Sequence, residues 1–424
     1  MSGEDRIEHV TCLGCGCGCD DLTVRVRDNR IVDVTPLCPI GRAWFGDGVV
    51  PSEVRQDGRQ SSLDVAVAEA AATLTGAVGR CLIYLGLDVN SQAHRAALQV
   101  ADLLRATVDT ATSTSAAEGL LASQRRGRAT ATLGEIRNRG DVVVFWGVDP
   151  AQRYPRYAAR YALNPTGTHA GDERGGRTVI GVSVGGDSTV SGADVTLALQ
   201  PEEEISALSL MRASVLGHPV QAPSPAIAQA VEIAGRLTRA RYAVLVHDAE
   251  PTDQGRDPLR VEALIALVQA LNTPTRAALS SLRAGGNRVG AEAVLTAQSG
   301  YPFAVDYSRG FPRYLPRLRG LSRLATGGYR VLLVVGSPSP DSALIRPSND
   351  LTTLVIGPRA SESDWQPRIA IDTGVAGIHE AGIGYRMDEV PLQLRPPLSG
   401  ARSAADVVNR VAEAVAAQLR RGSR

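Results

Sequence analysis

TCLGCGCGCDDLTVRVRDNRIVDVTPLC, residues 11–38, holds five of the chain's six cysteines. Cys12, Cys15, Cys19 and Cys38 follow C-x2-C-x3-C-x18-C, and Cys17 adds a fifth thiol inside the loop. A cubane needs four thiolates around a small cluster. Three come from one loop, where Gly14, Gly16 and Gly18 let the backbone wrap closely. The fourth, Cys38, sits in the separate turn Leu37-Cys38-Pro39. LTVRVR and RIVDVTP alternate apolar and polar residues around Asp28-Asn29, so they read as a hairpin that brings this turn back to the loop. The spacing favours a [4Fe–4S] cluster. Zinc stays open, although structural zinc sites usually pair two C-x2-C knuckles and only one is present. Unmetallated thiols also stay open, and Cys15 and Cys17 could exchange roles.

Outward from this segment the pattern becomes α/β. DVAVAEAAATLTGA is an amphipathic helix, CLIYLGLD a buried strand and SQAHRAALQVADLLRA a second helix. Strand and helix alternate again through DVVVFWGVDP, TVIGVSV, VTLALQ, a helix over 203–216, YAVLVHD and a helix over 257–272. Such alternation points to parallel sheets with covering helices. DVVVFWGVDP (141–150) and RVLLVVGSPSP (330–340) share one plan: an apolar strand, then Gly, then a short loop closed by Pro. Ligands of open parallel sheets lie beyond the carboxyl ends of strands. The two loops could therefore face a common cleft, or Gly and Pro could simply end two buried strands. The tail 403–420 reads as an amphipathic helix capped by Ser403.

Composition narrows the classes. A chain of 424 residues exceeds one ordinary core, so two or three domains are expected. A formal charge of +1 argues against nucleic acid as the main partner. Every basic residue is arginine, a bias of a GC-rich genome that also suits permanent interfaces. No apolar run approaches the roughly twenty residues of a membrane helix. The start, MSGEDRIEHV, is too polar for a secretory signal. A soluble cytoplasmic protein without a membrane partner is the expectation, and clustered cysteines in that compartment read as a metal or cluster site rather than a disulfide framework.

TCLGCGCGCDDLTVRV with CPIGRAWF downstream resembles the cluster domain of molybdopterin and tungstopterin oxidoreductases. More narrowly it resembles the B subunit of formylmethanofuran dehydrogenase. The resemblance continues through LGEIRNRGDVVVFWGVDPAQRYPRYAARY (133–161), GGNRVGAEAVLTAQSGYPFAVDYSRGFPRYLP (285–316) and GIHEAGIGYRMDEVPLQLRPP (377–397), in order along nearly the whole chain. It implies a formate dehydrogenase/DMSO reductase-like α/β fold. That fold has a small iron–sulfur domain (1–57), a discontinuous α/β domain (58–122 and 320–424) and a Rossmann-like α/β domain (123–319). It also implies that Gly147, Asp149, Gly336 and Ser337 belong to loops that held a bis-pterin cofactor.

One departure carries the functional reading. The resemblance implies a cysteine or selenocysteine on molybdenum or tungsten, followed by a histidine, shortly before Gln124. Here the segment is DTATSTSAAEGLLASQRRG, which puts Ser115 near the ligand position and Ala116 after it. No cysteine follows Cys81, itself read as a small buried apolar residue at the head of a strand. His94 and His169, the nearest histidines, read as surface residues. The expectation is a chain without a Mo/W bis-pterin and with no catalytic residue of its own.

The resemblance also implies a role for such a chain: the B subunit of a formyltransferase/hydrolase complex in tetrahydromethanopterin-linked oxidation of formaldehyde to formate. One partner there moves a formyl group from formyl-tetrahydromethanopterin to a methanofuran analogue, and an amidohydrolase releases formate. Amidohydrolase-type A, formyltransferase-type D and C subunits are the expected partners. The segment 300–316, rich in aromatics, Pro and Arg, suits a permanent interface. The alternatives are a working Mo/W subunit with a serine ligand, and a remnant electron-transfer module with a cluster but no pterin.

Overall fold

The structure, a computed structural model, describes residues 4–163, 176–186, 190–250, 259–338 and 350–422. The chain divides into two compact units, one of residues 1–115 and 285–424 and one of residues 116–284.

In the first unit, strands Asp5–Val10, Leu22–Arg27 and Arg30–Thr35 form an antiparallel sheet. The hairpin expected at Asp28-Asn29 is present, and both turn residues adopt positive φ (50° and 55°), where short polar side chains are tolerated. A larger, nine-stranded sheet belongs to the same unit. Its centre is parallel, in the order Thr107–Thr110, Cys81–Leu85, Val331–Val335, Thr352–Gly357, Ile369–Asp372. Cys81, Ile83 and Leu85 face one core, built with helices Leu63–Thr75, Ser91–Leu104, Arg288–Ser299 and Ala404–Gly422. Leu82 and Tyr84 face another with Leu321, Leu332 and Val334. Both faces are covered, which is why these strands read as continuous apolar runs rather than alternating ones.

The second unit has one five-stranded parallel sheet, ordered Val195–Leu199, Thr178–Val184, Val142–Trp146, Ala243–Asp248, Ala277–Leu282. Helices Glu204–Val215, Pro225–Leu237 and Arg260–Leu271 enclose its core. Each of the two sheets reverses direction of strand addition once, between Cys81–Leu85 and Val331–Val335 in the first and between Val142–Trp146 and Ala243–Asp248 in the second. Loops at such a reversal form the ligand crevice of open α/β sheets.

The unit borders differ from those the sequence suggested. The chain leaves the first unit after Ser115 rather than 122, and returns at Gly285 rather than 320. The return comes early because helix Arg288–Ser299 packs on Ser91–Leu104 and strand Val305–Asp306 pairs with Thr107–Val108. Likewise Val54–Gln56, placed in the small N-terminal piece, pairs with Ile369–Ile371 at the margin of the large sheet. Among the described residues no helix is long and apolar enough to cross a membrane.

Candidate functional site

The cysteine loop is closed by Cys12 N–H donating to the Cys19 carbonyl at 2.8 Å. Backbone N–H groups reach two of the sulfurs. Gly14 N donates to Cys12 Sγ at 3.4 Å, and Gly41 N donates to Cys38 Sγ at 3.3 Å. Cys38 thereby caps helix Pro39–Phe45, whose first residue is the proline that follows it. A methyl group added at Gly41 would stand 3.6 Å from both Cys12 Sγ and Cys38 Sγ, so the two sulfurs flank this one glycine. The Cys12 thiol is pushed far above its ordinary range, first by burial, with Cys15, Cys19 and Cys38 each raising it further against the Gly14 hydrogen bond. Cys12 and Cys38 thus lie on either side of Gly41, at the two ends of the segment that the hairpin folds back, and Cys15 and Cys19 are near enough to act on Cys12. Cys17 is fully buried in the same loop.

That donor set suits a cubane. Among the described residues no three His, Cys, Asp or Glu side chains converge as ligands of a single metal ion. Zinc can also take four thiolates, at about 2.3 Å from one ion, whereas a cubane holds each thiolate on a separate iron at the corners of a wider cluster. Amide N–H groups aimed at sulfur and glycines at the closest approaches are what an anionic cluster needs from a backbone.

The loop is anchored from two sides of the first unit. Leu13 packs with Trp44, Ala376 and Leu394, and Met387 N donates to the Gly16 carbonyl at 2.8 Å. Gly286 N donates to the Leu13 carbonyl at 2.7 Å, and a side chain at Gly285 would fall 2.2 Å from that oxygen. Asp88, half-buried and at φ 64°, lies at the same place, its N–H donating to the Gly286 carbonyl at 2.9 Å. Burial raises its carboxyl above the usual range, opposed by the neighbouring Ser337 and Trp44 side chains and by the charge of Arg288. Sequence reading missed Trp44, Asp88 and Arg288. They are far apart along the chain, and only the Asp-Val-Asn after an apolar strand gave any local signal.

The two loops expected to hold a pterin lie in different units. Gly336 (φ 108°) and Ser337 follow strand Val331–Val335. Their backbone is already engaged, because Leu87 N and Ser337 N exchange hydrogen bonds with each other's carbonyls at 2.7 and 2.8 Å. Gly147 (φ 58°) donates its N–H to the Val182 carbonyl at 2.7 Å, and Asp149 caps the short helix Pro150–Arg153 through Ala151 N at 2.9 Å. Beside them in the second unit sits a buried charge network. Arg153 binds the Asp248 carboxylate and, at 2.5 Å, the Glu250 carbonyl, while Arg283 Nε donates to Glu250 Oε1 at 2.7 Å. His247 is buried there, held far below its ordinary pKa by burial first and then by Arg260 and Arg128.

Ser115 ends the short helix Thr112–Ser115 and is half-buried. Every hydroxyl of this turn donates to a protein acceptor. Thr112 donates to Glu292 at 2.8 Å, Ser113 to Asp109 at 2.8 Å, and Thr114 and Ser115 to the Ala111 carbonyl at 3.0 and 2.9 Å. His94 is not the surface residue it was expected to be. It is fully buried, its Nε2 lies 3.0 Å from the Gly86 carbonyl, and burial lowers its pKa to about 4. Its helix is covered by both the sheet and helix Ala404–Gly422. His169 lies outside the described residues. Cys81 is the buried small residue foreseen, its thiol pushed up to about 12 by burial and bonded to the Ala77 carbonyl at 3.2 Å.

No family model matches the chain. The B subunit of tungsten-containing formylmethanofuran dehydrogenase 2 from Methanocaldococcus jannaschii is 31% identical over 409 residues, 92% of this chain and 93% of that protein. Its namesake in Methanococcus maripaludis is 29% identical over 408 residues, with the same coverage of 92% and 93%. The B subunit of the formyltransferase/hydrolase complex Fhc of Methylorubrum extorquens is 31% identical over 219 residues, 52% of this chain and 56% of that protein. Among solved structures, a chain of the Methylorubrum extorquens FhcABCD complex crystallised with methylofuran superposes with a TM-score of 0.72 at 23% identity, over 88% of this chain and all of its own. Acetylene hydratase from Pelobacter acetylenicus superposes with a TM-score of 0.54 at 9% identity, over 97% of this chain and 69% of its own. These two likenesses establish a shared mixed α/β fold.

Proposed function

The chain belongs to the B-subunit family of formylmethanofuran dehydrogenase, and from that premise we propose that it is the B subunit of a formyltransferase/hydrolase-type complex, a scaffold that performs no redox step. One observation carries the reading. Where the family resemblance calls for a thiolate on molybdenum or tungsten, Ser115 donates its proton to the Ala111 carbonyl at 2.9 Å, within a turn whose neighbouring hydroxyls are likewise satisfied. A metal alkoxide would require that hydroxyl to ionise and to abandon its acceptor. Residues present at this turn therefore do not fit a group-six metal, and no step is routed through one.

The cysteine loop does fit its group. Cys12, Cys15, Cys19 and Cys38 would hold a [4Fe–4S] cluster in a small N-terminal iron–sulfur domain. When bound, such a cluster can store or pass one electron. In a complex without redox chemistry the same thiolates act structurally, by fixing the shape of a loop whose Leu13 carbonyl accepts Gly286 N. The partners in this reading are A-, C- and D-type subunits, and the chemistry is theirs: formyl transfer from a tetrahydromethanopterin carrier to a methanofuran-type carrier, then hydrolysis to formate in the cytoplasm. A scaffold benefits such a pathway because two active sites held at fixed separation see a retained carrier at high effective concentration.

A second reading, a redox subunit loaded with a Mo/W bis-pterin, is favoured by the 92% coverage of this chain in its match to tungsten-containing relatives. Elemental analysis and pterin extraction of the anaerobically purified complex separate the two. Iron without molybdenum, tungsten or pterin is the expected result. Stoichiometric tungsten or molybdenum, with dye-linked oxidation of formylmethanofuran, would overturn the scaffold reading.

A further inference from the structure

Residues 307–330 carry Arg309, Arg313, Arg317, Arg319, Arg323 and Arg330 and no acidic residue at all. They emerge from one margin of the large sheet, where the two-residue strands Val305–Asp306 and Arg313–Tyr314 form a hairpin. Two successive turns follow each other there. Gly310 N bonds to the Tyr307 carbonyl at 2.8 Å, and Leu318 N to the Leu315 carbonyl at 3.0 Å. Each turn displays an apolar side chain to solvent. Phe311 is 56% exposed, and Leu318, at 67%, is the most exposed large apolar side chain among the described residues.

The segment is held rigidly. Asp306, buried at 1% exposure, binds the Arg313 guanidinium and lies 3.8 Å from that of Arg319. Arg319 also donates to the Gly327 carbonyl at 2.9 Å, and Gly320 N to the Tyr329 hydroxyl at 3.0 Å. The Tyr314 ring stacks on Tyr301 at 5.1 Å and 5°, and meets Phe303 edge-on at 5.4 Å. A buried carboxylate thus pins two arginines, while Arg309, Arg317, Arg323 and Arg330 remain at the surface. Exposed Phe and Leu on a fixed frame lose little freedom when covered, which is how docking residues gain affinity. Aromatic side chains and arginine are the types enriched at protein interfaces.

From this juxtaposition we infer that residues 307–320 are the docking surface for an acidic face of another subunit of the complex, one with apolar recesses for Phe311 and Leu318. The inference rests on the subunit reading above and names the chemistry of the partner. Charge decides the occupant. A second copy of this chain would set like charges against each other. A nucleic acid is disfavoured by the formal charge of only +1 for the whole chain.

The test is hydrogen–deuterium exchange and affinity measurement on the native complex and on the free full-length chain. Peptides covering 308–320 are expected to exchange at least about tenfold more slowly in the complex, as burial of their amides requires. The double variant Phe311→Ser/Leu318→Ser, in which both altered side chains face solvent, is expected to keep the wild-type melting temperature and to bind its partner subunits at least about tenfold more weakly, the loss typical of interface anchors. Arg309→Glu/Arg317→Glu is expected to weaken binding most at low salt. Equal exchange of 308–320 in both states, wild-type assembly of the double variant, or protection by an oligonucleotide in place of a partner protein would overturn the inference alone. If the wild-type chain recovers no A-, C- or D-type subunit, the subunit reading falls and takes this inference with it.

Discussion

At the scale of single residues the decisive contrast is between sulfur and oxygen. Cys15, Cys19 and Cys38 each act electrostatically on Cys12, and the sulfurs of Cys12 and Cys38 receive backbone N–H groups. Replacing any one of the four by Ala is expected to remove most of the iron bound by anaerobically purified protein, together with its visible absorbance. Cys17→Ala is expected to leave both unchanged, and equal losses from all five variants would contradict this ligand assignment. The motif was legible because ligand spacing and glycine placement are local properties of the sequence. Asp88, Trp44 and Arg288 were not legible, because what makes them neighbours of the loop is a fold that joins positions two hundred residues apart. His94 was misread for a related reason: its ring finds a partner in the Gly86 carbonyl beyond the end of the preceding strand, and residue polarity alone does not report such a partner.

At the scale of elements, the C-terminal helix Ala404–Gly422 was readable from its periodicity and from Ser403, whose hydroxyl accepts Asp406 N at 3.3 Å. Its second cap was hidden. Glu380, distant in sequence, accepts Ala404 N at 2.9 Å and sits beside Asn90. Burial, the largest cause, raises this carboxyl to about 7, with Asp406 adding repulsion and the bonds from Ala404 and Ser403 opposing it. A carboxyl that titrates near 4.5 when unfolded and near 7 when folded binds its proton more tightly in the fold. Its contribution to stability is therefore complete below pH 4.5 and is lost as pH rises through 7. Glu380→Gln keeps an acceptor for Ala404 N without the charge. Chemical unfolding is expected to find it more stable than wild type at pH 8, by at most about 3.4 kcal/mol, the free-energy equivalent of such a shift, and no more stable at pH 4. A variant that is weaker at both values would show that the carboxylate's hydrogen bond outweighs its burial.

At the scale of the whole molecule, the two units differ in how the chain builds them. Residues 116–284 are contiguous and supply every strand of their sheet and every side chain of its core. Expressed alone, this segment is expected to give a single cooperative urea transition with mixed helix and strand circular dichroism, as domains of this size do. A non-cooperative transition would mean that its core needs the remainder of the chain. The alternation of strands and helices was legible throughout, since burial on both faces leaves unbroken apolar runs. The return point was not, because helix Arg288–Ser299 carries the same amphipathic pattern whichever sheet it covers, and only its long-range partners decide. That return is stitched to the cysteine loop, with Gly286 N on the Leu13 carbonyl and no room for a side chain at Gly285. The loop is therefore part of the seat on which the late half of the chain rests, and its shape bears on the stability of that return as well as on any chemistry at its sulfurs.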